Sequence, residues 1–87
     1  MFEENLYDLE KAVLFAMYKE VGFSLNAHIR KEAIVRHLDS NAKAKAKRAI
    51  KKLLAKGFFH KHRTDTFSFT VAGRDAVKKL VENIQLP

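Results

Sequence analysis

Apolar residues recur with helical spacing in four segments of the chain. The first segment runs from Leu6 to Val21 and is followed by Gly22, a residue type that commonly ends helices. Its apolar residues cover most of the helix circumference, so the pattern predicts burial on more than one side. One side can face the core of an 87-residue protein. The other side needs a second covering element or a second subunit.

A second helix is predicted from about residue 30 to residue 38, where three apolar residues share one face: Ile34, Val35 and Leu38. Residues 23–26, between the first two helices, can hold one short strand. The second helix is followed by residues that favour turns and helix N-caps, namely Asp39, Ser40 and Asn41. The pattern therefore predicts a tight turn into a third helix.

The third helix is predicted from Asn41 to Lys56, where a strong helix-forming composition precedes Gly57. On a helical wheel this segment divides into an apolar face and a face without any acid. The apolar face consists of Ala42, Ala46, Ala49, Ile50, Leu53 and Leu54. The opposite face consists of Asn41, Ala44, Lys45, Arg48, Lys51 and Lys52.

Two short strands and a last helix are predicted after Gly57. Residues 58–63 and 66–71 read as strands around a turn at residues 64–65, with aromatic residues alternating along the second. Thr70 can cap a helix over about residues 72–84, whose apolar residues recur every three or four positions. The chain, 1–87, is therefore predicted to be one α+β domain, mainly helical with a small β-hairpin.

The order of these elements is that of a winged helix-turn-helix domain. Two helices joined by a short turn form the helix-turn-helix unit, and a hairpin directly after its second helix, here residues 58–71, is the wing. Residues 48–59 resemble the end of a winged-helix recognition helix and the start of its wing. Residues 69–74, Phe-Thr-Val-Ala-Gly-Arg, are similar to the wing exit of MarR-like and other small bacterial and archaeal regulators. The resemblance extends over residues 6–84 and implies a DNA-binding domain with its recognition helix at about 41–56 and an extra C-terminal helix.

Positive charge is concentrated in the middle of the chain. Residues 28–63 carry twelve Lys and Arg side chains and two acids, whereas residues 1–27 carry two lysines and five acids. A concentrated positive field favours a polyanionic partner, because binding releases condensed counterions. The alternative is that the net charge of +7 only keeps a small domain soluble. The concentration favours the first interpretation.

Composition excludes several classes of protein. The chain has no cysteine, which excludes disulfides, thiolate nucleophiles and cysteine-bound zinc. It shows neither an apolar run that can span a membrane nor a signal-peptide pattern. We therefore expect a soluble, cytoplasmic protein, associated with the nucleoid if it is prokaryotic. The acids of the first helix are expected to form its solvated face, namely Glu3, Glu4, Asp8, Glu10 and Glu20. The serines and acids form no catalytic constellation, so we expect no enzyme activity and no cofactor.

The acid-free face of the third helix is the predicted nucleic-acid contact. Its lysines repel one another at i,i+4 spacing, and a phosphate backbone would relieve this repulsion. The alternative is that these lysines only keep an exposed helix soluble. Asn41 and Arg48 can pair with base edges, and Ala44 lets the DNA backbone approach or touches a thymine methyl group. The predicted phosphate contacts are Lys43, Lys45, Lys47, Lys51 and Lys52, with Lys61 and Arg63 of the wing at flanking phosphates or the minor groove.

Two histidines, His60 and His62, alternate with the cations of the wing. We expect them to be polar strand residues that gain charge below about pH 6.5. A metal site that also uses His28 or His37 is the weaker alternative, because no third ligand has a recognisable spacing. Further cations on the second helix either contact the nucleic-acid backbone or face solvent, namely Arg30, Lys31 and Arg36.

The sequence thus predicts a double-stranded DNA-binding protein that acts as a transcriptional regulator. The alternative is a winged-helix component of a ribonucleoprotein, transcription or chromatin assembly that binds RNA or DNA non-specifically, which the alternation of Ala and Lys favours. The central charge disfavours a third possibility, a protein-interaction domain without a nucleic-acid partner. A homodimer formed by the first and last helices would place two recognition helices in successive major grooves. The residues expected at that contact are Tyr7, Leu14, Phe15, Tyr18, Val77, Leu80 and Val81.

Overall fold

The computed structural model describes residues 8–63 and 66–85, with side chains as far as Glu82. Within these ranges the chain forms four helices and a small antiparallel sheet of three strands, as the predicted α+β class requires. The elements are α1 Asp8–Val21, β1 Ile29–Arg30, α2 Lys31–Val35, α3 Ser40–Ala55, β2 Phe59–Lys61, β3 Thr66–Phe69 and α4 Val71–Gln85. Among the described residues, no helix combines the length and apolar character that crossing a membrane requires.

Helix α1 is the central helix of the core. It packs against α2, α3 and α4, and Val13, Leu14 and Met17 have no exposed surface. These three residues are therefore covered by elements of the same chain, which is one of the two explanations that the sequence left open. The apolar residues Leu9, Phe15 and Tyr18 of the same helix are half-buried.

Helix α2 is shorter than the predicted segment 30–38. The amides of His37 and Leu38 donate to the carbonyls of Ile34 and Val35 at 3.2 and 3.0 Å, three residues back. This tight turn ends the helix early, yet Leu38 still reaches the core, with 8% of its surface exposed.

The strand expected at residues 23–26 is instead found at Ile29–Arg30. Residues 24–27 form a turn in which the Ser24 hydroxyl accepts hydrogen bonds from the amides of Asn26 and Ala27, at 3.2 and 3.3 Å. Backbone groups occupied in this turn are not available to a sheet ladder. The strand consequently begins after the turn, where Ile29 pairs with Phe67.

The start of α3 is fixed by Asp39, whose carboxylate accepts a hydrogen bond from the Ala42 amide at 2.9 Å. The helix therefore begins at Ser40 and ends at Ala55, one residue before each predicted bound. Gly57 follows with a φ of +80°, a conformation that glycine adopts without the strain that a side chain introduces.

Loss of this cap gives a first testable prediction. The substitution Asp39→Ala leaves the Ala42 amide without its side-chain acceptor, and we expect it to lower the free energy of unfolding by about 1 kcal/mol. Urea titration followed by circular dichroism measures the change. Asp39→Asn keeps an acceptor oxygen and should stay close to the wild type. Equal stability of Asp39→Ala and the wild type would contradict the assigned cap.

The sheet has the strand order β1-β3-β2 and lies against the helices through one face. Phe59, Phe67 and Phe69 are all buried in the core. The strands β2 and β3 are shorter than the predicted ranges 58–63 and 66–71, and the expected turn at residues 64–65 lies outside the described residues.

Thr70 connects the hairpin to α4. Its hydroxyl donates to the Gly57 carbonyl at 2.6 Å and accepts from the Gly73 amide at 3.0 Å. This second bond is the predicted N-terminal cap of the last helix, which begins at Val71 and ends at Gln85 rather than spanning 72–84. The first turn of α4 thus lies directly against the residues that follow α3.

Candidate nucleic-acid interface

The exposed face of α3 contains the predicted contact residues. Asn41, Lys43, Ala44, Lys45, Lys47, Arg48, Lys51 and Lys52 are all exposed. On the opposite face, Ala46, Ala49, Ile50 and Leu53 are buried, while Ala42 and Leu54 are half-buried. The helical wheel therefore separated the two faces correctly.

The exposed face of α3 carries no acid of its own. Residues 40–63 include seven lysines, two arginines and no acid. In the ranges that the structure describes, no ion pair joins a carboxylate to the following five cations: Lys43, Lys45, Lys47, Arg48 and Lys51. Their charges are consequently available to an external anion.

The cations lie along two edges of α3. Lys45, Arg48 and Lys52 line a cleft of about 180 Å³ between α3 and the start of α1, together with Leu9, Glu10 and Ala49. At 100° per residue, Lys43 and Lys47 point to the other edge of the helix. The sequence-based wheel did not distinguish these edges, because it contained no information about where α1 lies.

One of the residues that line this cleft is a buried carboxylate, that of Glu10. Glu10 is 2% exposed, and its Oε1 lies 2.6 Å from Nζ of Lys56 at the end of α3. The expectation that the acids of α1 form a solvated face is wrong for this residue. The sequence contained a signal for the burial of Glu10, because this residue shares helical spacing with Leu14 and Met17, both of which are buried.

Glu20, a second acid of α1, is also engaged within the protein. Its Oε2 lies 2.6 Å from Nε2 of His37 and 3.7 Å from Nε of Arg36. The sequence analysis left open whether Arg36 contacts a nucleic-acid backbone or faces solvent. In the structure it has an acidic partner, although its side chain is 66% exposed. Arg30 is exposed in β1, and Lys31 is half-buried at the start of α2.

The hairpin presents its predicted cations to solvent. Lys61 and Arg63 are both exposed. The backbone around them is ordered by two hydrogen bonds to Thr66, from the His62 amide to its carbonyl at 3.0 Å and from the Arg63 amide to its hydroxyl at 3.0 Å. These bonds hold the end of β2 against the start of β3.

Three histidines meet beside this hairpin, an arrangement that sequence spacing did not predict. The rings of His28 and His62 are stacked with centroids 3.6 Å apart, and the ring of His60 meets that of His62 edge-on at 4.6 Å. Partial loss of hydration lowers the pKa of His62 below its ordinary value, and the neighbouring His28 and His60 lower it further. His37 lies elsewhere, beside Glu20. Within the described residues, no group of three or more side chains is arranged to hold a metal ion.

The residues expected at a dimer contact have different surroundings. Leu14 and Val77 have no exposed surface and Val81 is 8% exposed, so these three side chains pack into the protein's own core rather than lying on its surface. The remaining described residues of the set are half-buried, namely Phe15, Tyr18 and Leu80. Tyr7 lies outside the described residues.

Eight of the ten predicted contact residues thus lie on α3 and two lie on the neighbouring hairpin, and all ten are exposed. Comparison with known proteins gives no match to a family model, to a curated protein or to a solved structure.

Proposed function

We propose that this chain is a winged helix-turn-helix domain that binds double-stranded DNA, with α3 as its recognition helix. The element order supports this fold, because α2 and α3 are joined by the four residues 36–39 and the β2–β3 hairpin follows α3 directly. In the proposed arrangement, β1 adds a third strand beside β3 and the hairpin is the wing.

The observation that carries the proposal is the row of exposed cations on α3 without an acid. Like charges at i,i+4 positions, such as Lys43 with Lys47 and Lys47 with Lys51, destabilise a free helix by a few tenths of a kcal/mol each. The DNA backbone carries one negative charge per roughly 1.7 Å of helix axis, which would neutralise these cations and release counterions. An exposed helix that does not bind nucleic acid normally carries opposite charges at i,i+4 positions.

The dimensions of α3 suit a major groove. The helix has 16 residues, which at a rise of about 1.5 Å per residue gives a rod of roughly 24 Å. A major groove about 12 Å wide accepts one α-helix, whose N-terminal residues then contact base edges. Asn41 and Arg48 are the proposed base contacts, and the lysines position the helix through phosphates.

The excess of lysine over arginine on this face favours strong non-specific binding beside any sequence preference. A lysine ammonium neutralises phosphate as a point charge, whereas arginine also pairs in a bidentate manner with guanine. This observation supports the second candidate function, a winged-helix component that binds nucleic acid without reading its sequence.

A titration with three nucleic acids separates these candidates. The wild-type protein is mixed with a duplex DNA, its single strand and a structured RNA at several salt concentrations. We expect the duplex to bind most tightly, with log Kd rising steeply with log salt because several phosphates are neutralised. Tighter binding of the RNA would favour the ribonucleoprotein alternative. Absence of binding to all three would overturn the proposed function.

A homodimer stays a prediction of the sequence. With Leu14, Val77 and Val81 inside the core, the described residues of the predicted contact that keep more exposed surface are Phe15, Tyr18 and Leu80, all half-buried. Light scattering distinguishes the 10.0 kDa monomer from a species of about twice that mass.

A further inference from the structure

The three clustered histidines lie on the face of the sheet that points away from the core. His60 pairs with Ser68 in the ladder, while the neighbouring pairs Phe59–Phe69 and Lys61–Phe67 lie on the other face. His62 Nε2 lies 2.7 Å from the Ser68 hydroxyl, and Ser68 is only 3% exposed. The imidazoles therefore cover the serine, and all three histidines themselves remain exposed to solvent.

The charged groups around the cluster are mostly cations. Arg30 lies two residues after His28, so both point to the same face where the backbone is extended, and Arg63 directly follows His62. Lys61 alternates to the opposite face of β2. Glu32 is exposed in the first turn of α2, and Asp65 lies outside the described residues. Among the described residues, no carboxylate forms an ion pair with any of the three imidazoles.

This arrangement has two states with very different charge. The rings of His28 and His62 stack with centroids 3.6 Å apart, the ring of His60 meets that of His62 edge-on at 4.6 Å, and this crowding favours the uncharged form of His62, whose pKa is lowered by loss of hydration and by its two neighbours. On acidification each proton that binds meets a neighbouring ring that is also gaining charge, and like charges at this distance repel. An anion placed among the rings removes that repulsion and accepts hydrogen bonds from the imidazolium N–H groups.

We propose that His28, His60 and His62 form a phosphate site that fills with uptake of protons, so that the affinity for a phosphate group rises as the pH falls. The phosphate comes either from solution or from a nucleic-acid backbone, and the second source rests on the function proposed above. The sign follows from linkage. If bound phosphate raises the imidazole pKa values, the imidazoles take up protons on binding, and for a backbone phosphodiester, which does not itself titrate in this pH range, acid must favour the complex.

Inorganic phosphate tests the site without any nucleic acid. The imidazole pKa values are measured by NMR in phosphate and in chloride at equal ionic strength, with a chelator present to remove metal ions. We expect phosphate to raise the pKa values of His28, His60 and His62. His37, which is paired with Glu20, is the internal control and should not respond. Equal pKa values of the three histidines in both salts would overturn the site.

Duplex DNA tests the second source. At constant ionic strength, we expect the wild-type protein to bind duplex about tenfold more tightly at pH 5.5 than at pH 7.5, which is a typical size for a linkage effect. The variant with His28→Gln, His60→Gln and His62→Gln should lose this difference, and His37→Gln should keep it. If the triple variant does not fold, His60→Gln, which leaves the contact to Ser68 intact, should reduce the difference.

The phosphate titration and the duplex titration test separate parts of the proposal. Duplex binding that does not change with pH would overturn the nucleic-acid part of the proposal, while binding of duplex itself would still support the proposed function. Absence of duplex binding at both pH values would overturn the proposed function. The phosphate titration would then decide on the histidine site alone.

Discussion

The double charge reversal Lys47→Glu/Lys51→Glu is expected to weaken binding of duplex DNA on the order of 100-fold at moderate salt. Both side chains are exposed on α3, and neither lines the cleft that contains Glu10. Loss of two phosphate contacts should also reduce the slope of log Kd against log salt by about 1.8. Fluorescence anisotropy with a labelled duplex at several salt concentrations measures both quantities.

Stability is not expected to fall in this variant. Residues 47 and 51 still carry like charges, but the new acid at position 47 gains a favourable pair with Lys43 and the new acid at position 51 gains one with Arg48. A loss of affinity would therefore not result from unfolding.

The matched control is Lys19→Glu/Lys79→Glu, which makes the same change in net charge on exposed positions of α1 and α4. We expect this control to retain most of the affinity, with a small loss from the weaker overall field. Equal losses in the two variants would mean that only the net charge matters and that α3 has no special role.

The substitution Gly73→Ala is expected to cause the largest loss of stability, about 2–4 kcal/mol. A Cβ atom at residue 73 would lie 1.9 Å from the backbone carbonyl oxygen of Phe58 and 2.8 Å from its carbonyl carbon. Backbone atoms cannot rotate away as a flexible side chain can, so α4 must shift relative to the start of β2. That shift would also disturb the hydrogen bonds that Thr70 makes to Gly57 and to residue 73.

Chemical denaturation of Gly73→Ala and of Ala72→Ser measures this effect. The control also adds one heavy atom in the first turn of α4, but at an exposed position, and its free energy of unfolding should stay within about 0.5 kcal/mol of the wild type. Similar stability of both variants would show that α4 and the residues after α3 are not in the close contact described above.

Local signals in the sequence predicted most of the elements. The four helices follow from apolar spacing, and the turn before α3 follows from three residue types that favour caps, of which Asp39 is the actual N-cap. The role of Thr70 as an N-cap could also be predicted from the sequence, because this threonine directly precedes an apolar helical pattern. These features depend on neighbours within a few positions, which a single sequence contains.

Features that depend on distant contacts were predicted less well. The position of β1 depends on pairing with β3, nearly forty residues later, and on a turn that occupies the preceding backbone. The burial of Glu10 depends on Lys56, at the far end of α3. The histidine cluster joins the segment before β1 to the end of β2, and no spacing rule brings His28 beside His62.

The sequence predicted which residues form the exposed face of α3, but not which other elements lie beside that face. Periodicity alone separated the exposed cations of α3 from Ile50 and Leu53 in the core. Which edge borders α1 required the packing of whole helices, and this packing places Lys45 and Arg48 beside the cleft. For the same reason, Leu14 and Val77 were expected at a dimer contact although their own chain covers them completely.

Mapping the surface that changes on addition of a short DNA duplex tests the proposed role of α3 most directly. In a ¹H–¹⁵N correlation spectrum of the labelled protein, we expect the largest shifts at the N-terminal half of α3, residues 40–48, and at the cations of the hairpin, Lys61 and Arg63. The exposed residues around Lys19 and Lys79 should change little. Shifts concentrated on α1 and α4, with the amides of α3 unchanged, would contradict the proposal that α3 is the recognition helix.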